Sequence, residues 1–251
     1  MNELLPEYLL VPEWPAPATV RAVSTTRRGG DGLPPYDGFN LAGHVGDDPV
    51  RVAGNRRQLA AVLGLSTEPA WLEQVHGIHA VAAETVSAPV AADAAWTREP
   101  GQPCVVMTAD CLPVLLCDRA GTVVAAAHAG WRGLAGGGGP ATVGRVDVPP
   151  MELLAWLGPA IGPDAFEVGE EVRAAFLALD AGNAACFRPS PAGRWLADLY
   201  ALARRQLRGL GVSAVYGGEF CTFSEPERFF SYRRENRTGR MASLIWLVSQ
   251  Y

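Results

Sequence analysis

Residues 104–133 read CVVMTADCLPVLLCDRAGTVVAAAHAGWRG, three apolar runs separated by TADC and by a turn rich in polar and small residues. CVVMT at 104–108, PVLLC at 113–117 and TVVAAA at 122–127 are each too short for a helix and bounded by turn formers, so each predicts a strand. They are apolar throughout rather than alternating, which means that both faces of each strand are covered. A sheet covered on both sides needs a layer above and below it. The stretch therefore predicts an α/β fold with mixed β-sheets layered between helices.

Further strands are expected at 19–25 (TVRAVST), 71–75 (WLEQV), 153–157 (LLAWL), 214–218 (AVYGG) and 243–248 (SLIWLV). Asp48-Pro49 reads as a helix cap with proline at the first helical position, followed by apolar residues at helical spacing up to a stop at Gly64. Amphipathic helices are expected at 167–179 and 194–209, the second closed by Gly211. Gly136 to Gly139 and Pro140 oppose the helix otherwise expected after the 122–127 strand. No repeat and no linker-like stretch divides the chain, so one catalytic domain is expected over residues 1–251.

The chain has 251 residues, 49% of them hydrophobic and 19% charged, with 21 basic against 26 acidic side chains. This is the composition of a globular protein large enough to bury a core without disulfides. All 21 basic residues are Arg, which excludes a Schiff-base lysine and the lysine of a P-loop. The net charge of −5, with Arg scattered rather than striped, offers no footprint for nucleic acid. MNELLPEYLL at the start carries Glu3 and Glu7 and no basic segment, and no apolar run approaches the roughly 20 residues of a membrane span. A cytoplasmic protein with no membrane partner is expected, and its five cysteines are then thiols to be explained one by one.

Three segments share a form in which an apolar run meets a metal-ligating residue type followed by small or turn residues: WLEQVHG, VMTADCLP and AAAHAGWRG. They single out His76, Cys111 and His128. Structural zinc sites pair their ligands a few residues apart, whereas catalytic sites gather three ligands from separate elements and leave a position open. Two imidazoles and one thiolate at these wide spacings suit the second kind. Taken singly, each residue has a plainer reading as a hydrogen-bonded histidine or a core cysteine. Gly77 and Gly130 would let backbone approach a ligand closely, and Trp131-Arg132 would set an aromatic face and a guanidinium beside His128.

STTRRGG, GFNLAGHVGDD, WLEQVHG, MTADCLPVLLCD, AAHAGWRGL, LGPAIGP and FFSYRR with TGRMAS resemble, in order and across nearly the whole chain, the laccase-like multicopper polyphenol oxidoreductase family. Members of that family are now read as purine nucleoside phosphorylases, and some carry the label of peptidoglycan editing factor. The resemblance implies a zinc held by His76, Cys111 and His128, and a fold similar to that of cysteine hydrolases and a deamidating bacterial toxin. It implies phosphorolysis of adenosine, inosine and methylthioadenosine, with deamination of adenosine as a side activity. The AGGGGPATVGRVDVPP segment departs from the family, where helix formers usually follow HAGWRGL, and this bears on substrate range.

A multicopper oxidase needs, beyond a blue-copper site, a second cluster ligated almost wholly by imidazole. Four histidines, two of them already in the first site, cannot supply it. Copper could still occupy the same three donors, giving a copper-dependent polyphenol oxidase as one alternative. A second alternative makes Cys111 a thiolate nucleophile activated by His76 or His128, in an amide hydrolase or a peptidoglycan-precursor editing enzyme. A third is a nucleoside-binding module without turnover. Expected contacts to phosphate or ribose are Arg27, Asn40, His44 and Arg132, although the arginines could equally be surface groups and Asn40 could cap a turn. Gln74, two residues before His76 on an expected strand, would share its face and line the pocket. Asp110 either orients a ligand or stabilises the TADC turn. Arg233 and Arg240 are expected to support the site rather than touch substrate, and Cys104 and Cys117 to be core. A monomer acting on a purine nucleoside and phosphate is expected.

Overall fold

The computed structural model describes residues 6–249. The leader reading of the N-terminus therefore falls partly outside the described residues.

Two sheets lie face to face. The four-stranded sheet runs Leu9–Leu10, Val20–Thr25, Met241–Leu247, Cys104–Thr108 from edge to edge and is antiparallel throughout. The six-stranded sheet runs Ala214–Gly217, Leu153–Leu157, Leu112–Asp118, Val124–Ala129, Ala94–Thr97, Ala80–Ala82. It is mixed: its two outermost pairs are parallel and the inner pairs antiparallel. A three-stranded antiparallel sheet of Phe187–Pro189, Trp195–Ala197 and Glu167–Val168 stands apart from both.

The apolar strands follow from this layering. In Leu112–Asp118, Leu112, Val114 and Leu116 pack with Leu202, Ala203 and Leu207 of the helix Leu199–Gly209, while Leu115 and Cys117 face the other sheet. In Cys104–Thr108, Cys104 and Val106 meet that same inter-sheet core, and Val105 and Met107 turn to Leu59 of the helix Pro49–Leu63. Each strand thus has helices on one side and a sheet on the other, and alternation of polarity has no place in it. Cys104 and Cys117 are core residues, as expected.

The helix Pro49–Leu63 forms as its caps require: Asp48 accepts from the Val50 amide at 2.8 Å, and Gly64 closes the end with φ of 62°. The other two expected helices begin later than their periodicity suggests, as Glu170–Leu179 and Leu199–Gly209. Their first residues, Glu167–Val168 and Trp195–Ala197, pair with each other as strands instead.

Two expectations are corrected. Residues 71–75 form no strand; only Ala70 and Glu73 make isolated bridges, to Cys104 and Ala91. The Gln74 amide takes the place of a strand neighbour, accepting from the Met107 N–H at 2.7 Å and donating to its carbonyl at 2.8 Å. The glycine-rich segment is helical, as Trp131–Ala135 and Gly138–Arg145. Gly137, at φ of 92°, makes the break between the two, and Pro140 is the third residue of the second helix, where a backbone N–H has no intrahelical acceptor. Burial of Val143 and Val146 in the helix-side core supplies what the glycines withhold in propensity.

Candidate metal centre

The chain crosses from the four-stranded to the six-stranded sheet at Ala109–Cys111, and the crossing places Cys111 at the start of the inner strand Leu112–Asp118. Asp110 makes the bend in the left-handed region, φ 88°. Its carboxylate accepts from Thr222 Oγ1 at 2.6 Å, Ser231 Oγ at 3.0 Å and the Arg233 amide at 2.7 Å. Asp110 therefore stabilises the TADC turn and docks the 222–233 segment on it. His128 lies on Val124–Ala129 opposite Pro113, two residues beyond Cys111. His76 sits in a loop, also left-handed at φ 61°.

The sulfur and imidazole donors of His76, Cys111 and His128 all lie within 4.8 Å of one another. His76 Nε2 is 3.8 Å from Cys111 Sγ, and the two imidazoles meet edge to face with centroids 4.8 Å apart. His128 is buried, Cys111 half-buried and His76 exposed, so the cluster opens to solvent on the His76 side. Val75 and Ile78, both exposed, lie one and two residues from His76 in the chain.

Asp93 organises the cluster, and sequence reasoning missed it. Its Oδ1 accepts from His128 Nδ1 at 2.7 Å and from the His76 amide at 2.9 Å; Oδ2 accepts from the Gly77 amide at 2.6 Å. With Nδ1 so engaged, His128 turns Nε2 to the cluster. The same carboxylate holds His76 in its unusual backbone conformation. The available signal was one carboxylate in the apolar run AADAAW.

Burial pushes the Cys111 thiol up, but the charge and hydrogen bond of His128 and then those of His76 outweigh it, bringing it down to about 6. Burial pushes His128 down, and the Cys111 thiolate and the Asp93 hydrogen bond raise it to about 9. For Asp93, burial is outweighed by His128 and the Gly77 and His76 amides, which hold the carboxyl below its usual range. The two shifts run in opposite directions and both favour a Cys111 thiolate beside a charged His128. Burial pushes Cys104 and Cys117 strongly the other way.

The donors suit a metal ion. Two nitrogens and one sulfur are the set preferred by zinc and by copper. A Cβ on Gly130 would stand 3.1 Å from His76 Cδ2 and 3.2 Å from Cys111 Sγ, so the cluster needs glycine there. Behind His128, Gly133, Gly138 and Gly139 leave a cavity of about 30 Å³ against Gln206, whose Oε1 has no partner among the described residues.

Several expected substrate contacts are engaged by the protein itself. Arg27 pairs with Asp37 at 3.2 Å and Glu235 at 3.0 Å and lies over the Phe230 ring. Asn40, fully buried, bonds the Ala42 amide and carbonyl, Asp47 and the Arg240 amide, which is the turn-capping alternative. Gln74 is held by Met107, as described. Arg132 is exposed and stacks on Trp131, its guanidinium carbon 4.6 Å from the ring centroid. His44 is exposed; partial burial, then the charges of Arg240 and Arg56, push its pKa down. Arg233 donates to the Glu167 carbonyl at 2.9 Å.

Residues 21–248 match the family described as multi-copper polyphenol oxidoreductase laccase. The chain belongs to this family. Within the laccase-like family it is similar to a purine nucleoside phosphorylase of Pseudomonas aeruginosa, 58% identical over 95% of this chain and 98% of that one. It is similar also to the purine nucleoside phosphorylase YfiH of Escherichia coli, 54% identical over 96% and 99% of the two chains. Among solved structures, the Neisseria meningitidis protein NMB0706 superposes with a TM-score of 0.94 at 50% identity, covering 97% of this chain and 100% of that one. YlmD of Geobacillus stearothermophilus gives 0.88 at 31% identity, with 97% of each chain covered. Among the described residues no helix is long and apolar enough to cross a membrane.

Proposed function

We propose that the chain is a cytoplasmic purine nucleoside phosphorylase, a single catalytic domain that cleaves adenosine, inosine and methylthioadenosine with phosphate and deaminates adenosine as a side activity. His76, Cys111 and His128 would hold a zinc ion. The observation that carries this reading is the open three-donor cluster, in a chain similar end to end to relatives named purine nucleoside phosphorylase.

In phosphorolysis the bond between the ribose anomeric carbon and the purine nitrogen breaks, a phosphate oxygen bonds that carbon, and the purine leaves carrying a proton. Zinc, when bound, would supply Lewis-acid polarisation and activation of water, the second being what deamination requires. The protein's own part is positional and electrostatic. Asp93 holds the His128 tautomer, Gly130 leaves room for close approach, and Cys111 is available as a thiolate at neutral pH. Arg132 and His44, both exposed, remain available to substrate. Val75 and Ile78 offer apolar surface for the flat base.

One observation favours a second reading. Asp93, His128 and Cys111 form a chain of contacts in which a carboxylate orients an imidazole beside a thiolate, the arrangement of a cysteine hydrolase. A chelator abolishes the first activity and spares the second. Thiol alkylation of metal-free protein abolishes the second.

The test is product analysis after incubating metal-quantified protein with adenosine, with and without phosphate, beside Cys111→Ala. Adenine and ribose 1-phosphate are expected only with phosphate and not in the variant; inosine measures the deaminase branch. Adenosine unchanged in every tube of zinc-loaded protein overturns the phosphorylase reading. Polyphenol oxidation by protein carrying only copper, with no nucleoside turnover, would favour the oxidase instead.

A further inference from the structure

Arginines near the cluster differ in what they hold. Arg27 is paired with two carboxylates, and Arg234 with Glu235 and the carbonyls of Thr222, Phe223 and Phe229. Arg56 and Arg240 have no carboxylate in ion-pair reach among the described residues.

Both converge on one residue. The Leu41 carbonyl accepts from Arg56 Nε at 2.9 Å, and the Leu41 amide donates to the Arg240 carbonyl at 3.3 Å. His44 lies three residues beyond Leu41, in the short helical turn Gly43–Val45. On the other side both arginines border the strand that leads to Cys111. A terminal nitrogen of Arg56 lies 3.9 Å from Met107 Sδ, and Met241, next to Arg240, is the register partner of Thr108.

Each guanidinium is braced. Arg56 lies flat on Trp71, 3.8 Å from the ring centroid. Arg240 donates one terminal nitrogen to the carbonyls of Thr238 at 2.8 Å and Gly239 at 3.0 Å and rests over Tyr232. Among the described residues, Arg240 has no partner for its Nε and second terminal nitrogen, and Arg56 none for one terminal nitrogen. Both arginines are half-buried, and these donors reach solvent. Burial weakens the hold of both guanidinium groups on their protons, and the Cys111 and Asp110 charges act back on Arg240. Glu68 and Glu73 act on Arg56 and His44 only at longer range. Two braced, partly desolvated cations with spare donors and, among the described residues, no carboxylate in ion-pair reach are complementary to an oxyanion with several acceptors.

We propose that Arg56 and Arg240, with His44, form the subsite that holds inorganic phosphate beside Cys111, a place that Arg27 cannot fill. The choice of phosphate as the anion rests on the phosphorylase reading.

The test uses zinc-loaded full-length protein and inorganic phosphate itself, by equilibrium dialysis with radiolabelled phosphate. Arg56→Gln and Arg240→Gln each raise the phosphate Kd at least tenfold, while Arg57→Gln, an exposed neighbour with the same loss of charge, stays within twofold. In turnover the KM for phosphate rises in both while the KM for nucleoside changes less than twofold, a split that general loosening of the fold would not produce. Should a glutamine variant fail to fold, Arg56→Lys and Arg240→Lys keep the charge and lose the planar fork, and weaken phosphate at least threefold. Wild-type phosphate affinity in these variants, or no phosphate binding by the wild type, overturns the proposal. Phosphate binding that depends on both arginines without any nucleoside cleavage would sustain the subsite and overturn the phosphorylase reading.

Discussion

Asp93 and His128 are joined twice: the Asp93 carboxylate accepts the imidazole Nδ1 at 2.7 Å, and the Asp93 carbonyl accepts the His128 amide at 2.7 Å. The side-chain bond sets the tautomer, and the backbone bond, between the strand Val124–Ala129 and the chain entering its neighbour, sets the distance. Metal-binding histidines depend on such partners.

Asp93→Asn tests this arrangement. The amide keeps the shape and loses the charge that holds four N–H groups, those of Val75, His76, Gly77 and the His128 ring, and zinc affinity should fall by about 10- to 100-fold. Competition with a chromophoric chelator reads it, and unchanged affinity would contradict the role. The variant should also be less sensitive to acid. Folding lowers the Asp93 pKa, so its contribution is present above the unfolded value of about 4 and is lost as pH falls through the folded one.

Metal-free Cys111 should react at unusually low pH. Its thiolate fraction rises with pH and is half-maximal near 6, so alkylation by iodoacetamide should climb through pH 6 and level off by neutrality. Peptide mapping should find Cys104 and Cys117 unmodified in folded protein, since burial keeps both as thiols. A Cys111 midpoint near 9, the ordinary thiol value, would show that His128 does not sustain a thiolate. Bound zinc should suppress the reaction.

Gly130→Ala separates fold from metal binding. Gly130 has φ of −66°, which alanine adopts freely, yet its Cβ would press on His76 and Cys111. The metal-free variant should unfold within about 1 kcal/mol of wild type, a typical single-site effect. Zinc affinity should drop at least tenfold. Equal affinity would mean that the donors do not close on the space above Gly130.

Gly54→Ala should stabilise the protein. Gly54 lies inside the helix Pro49–Leu63 with nothing within 4 Å of its missing Cβ. Relief of the glycine entropy cost is worth about 0.5–1 kcal/mol. For a domain of this size that raises Tm by about 1–4 °C. An unchanged or lower Tm would show a contact that the backbone geometry does not reveal.

The layered fold was legible because its central strands are buried on both faces and so lack alternation, a signal local to each run. The three donors were legible because each comes where an apolar run meets a ligating residue type followed by small or turn residues. What escaped depends on contacts between distant segments. Gln74 uses its amide where a strand would use its backbone, so the 71–75 pattern promised a strand that tertiary structure replaces. Asp93 looks like an interruption in a run of alanines until its acceptors are seen to meet amides 16 and 17 residues earlier in the chain. Arg27 and Asn40 sit in segments that carry the family resemblance, yet their side chains are spent on Asp37 and Glu235 and on Ala42, Asp47 and the Arg240 amide. Gly138–Arg145 is helical because burial overrides propensity and its proline occupies the first turn.

The most direct test of the metal centre is the zinc-edge X-ray absorption spectrum of zinc-loaded protein. The account predicts one sulfur at about 2.3 Å and two imidazole nitrogens at about 2.0–2.1 Å, with a light-atom position remaining, and loss of the sulfur shell in Cys111→Ala. A zinc shell of nitrogen and oxygen only, indifferent to that substitution, would contradict it.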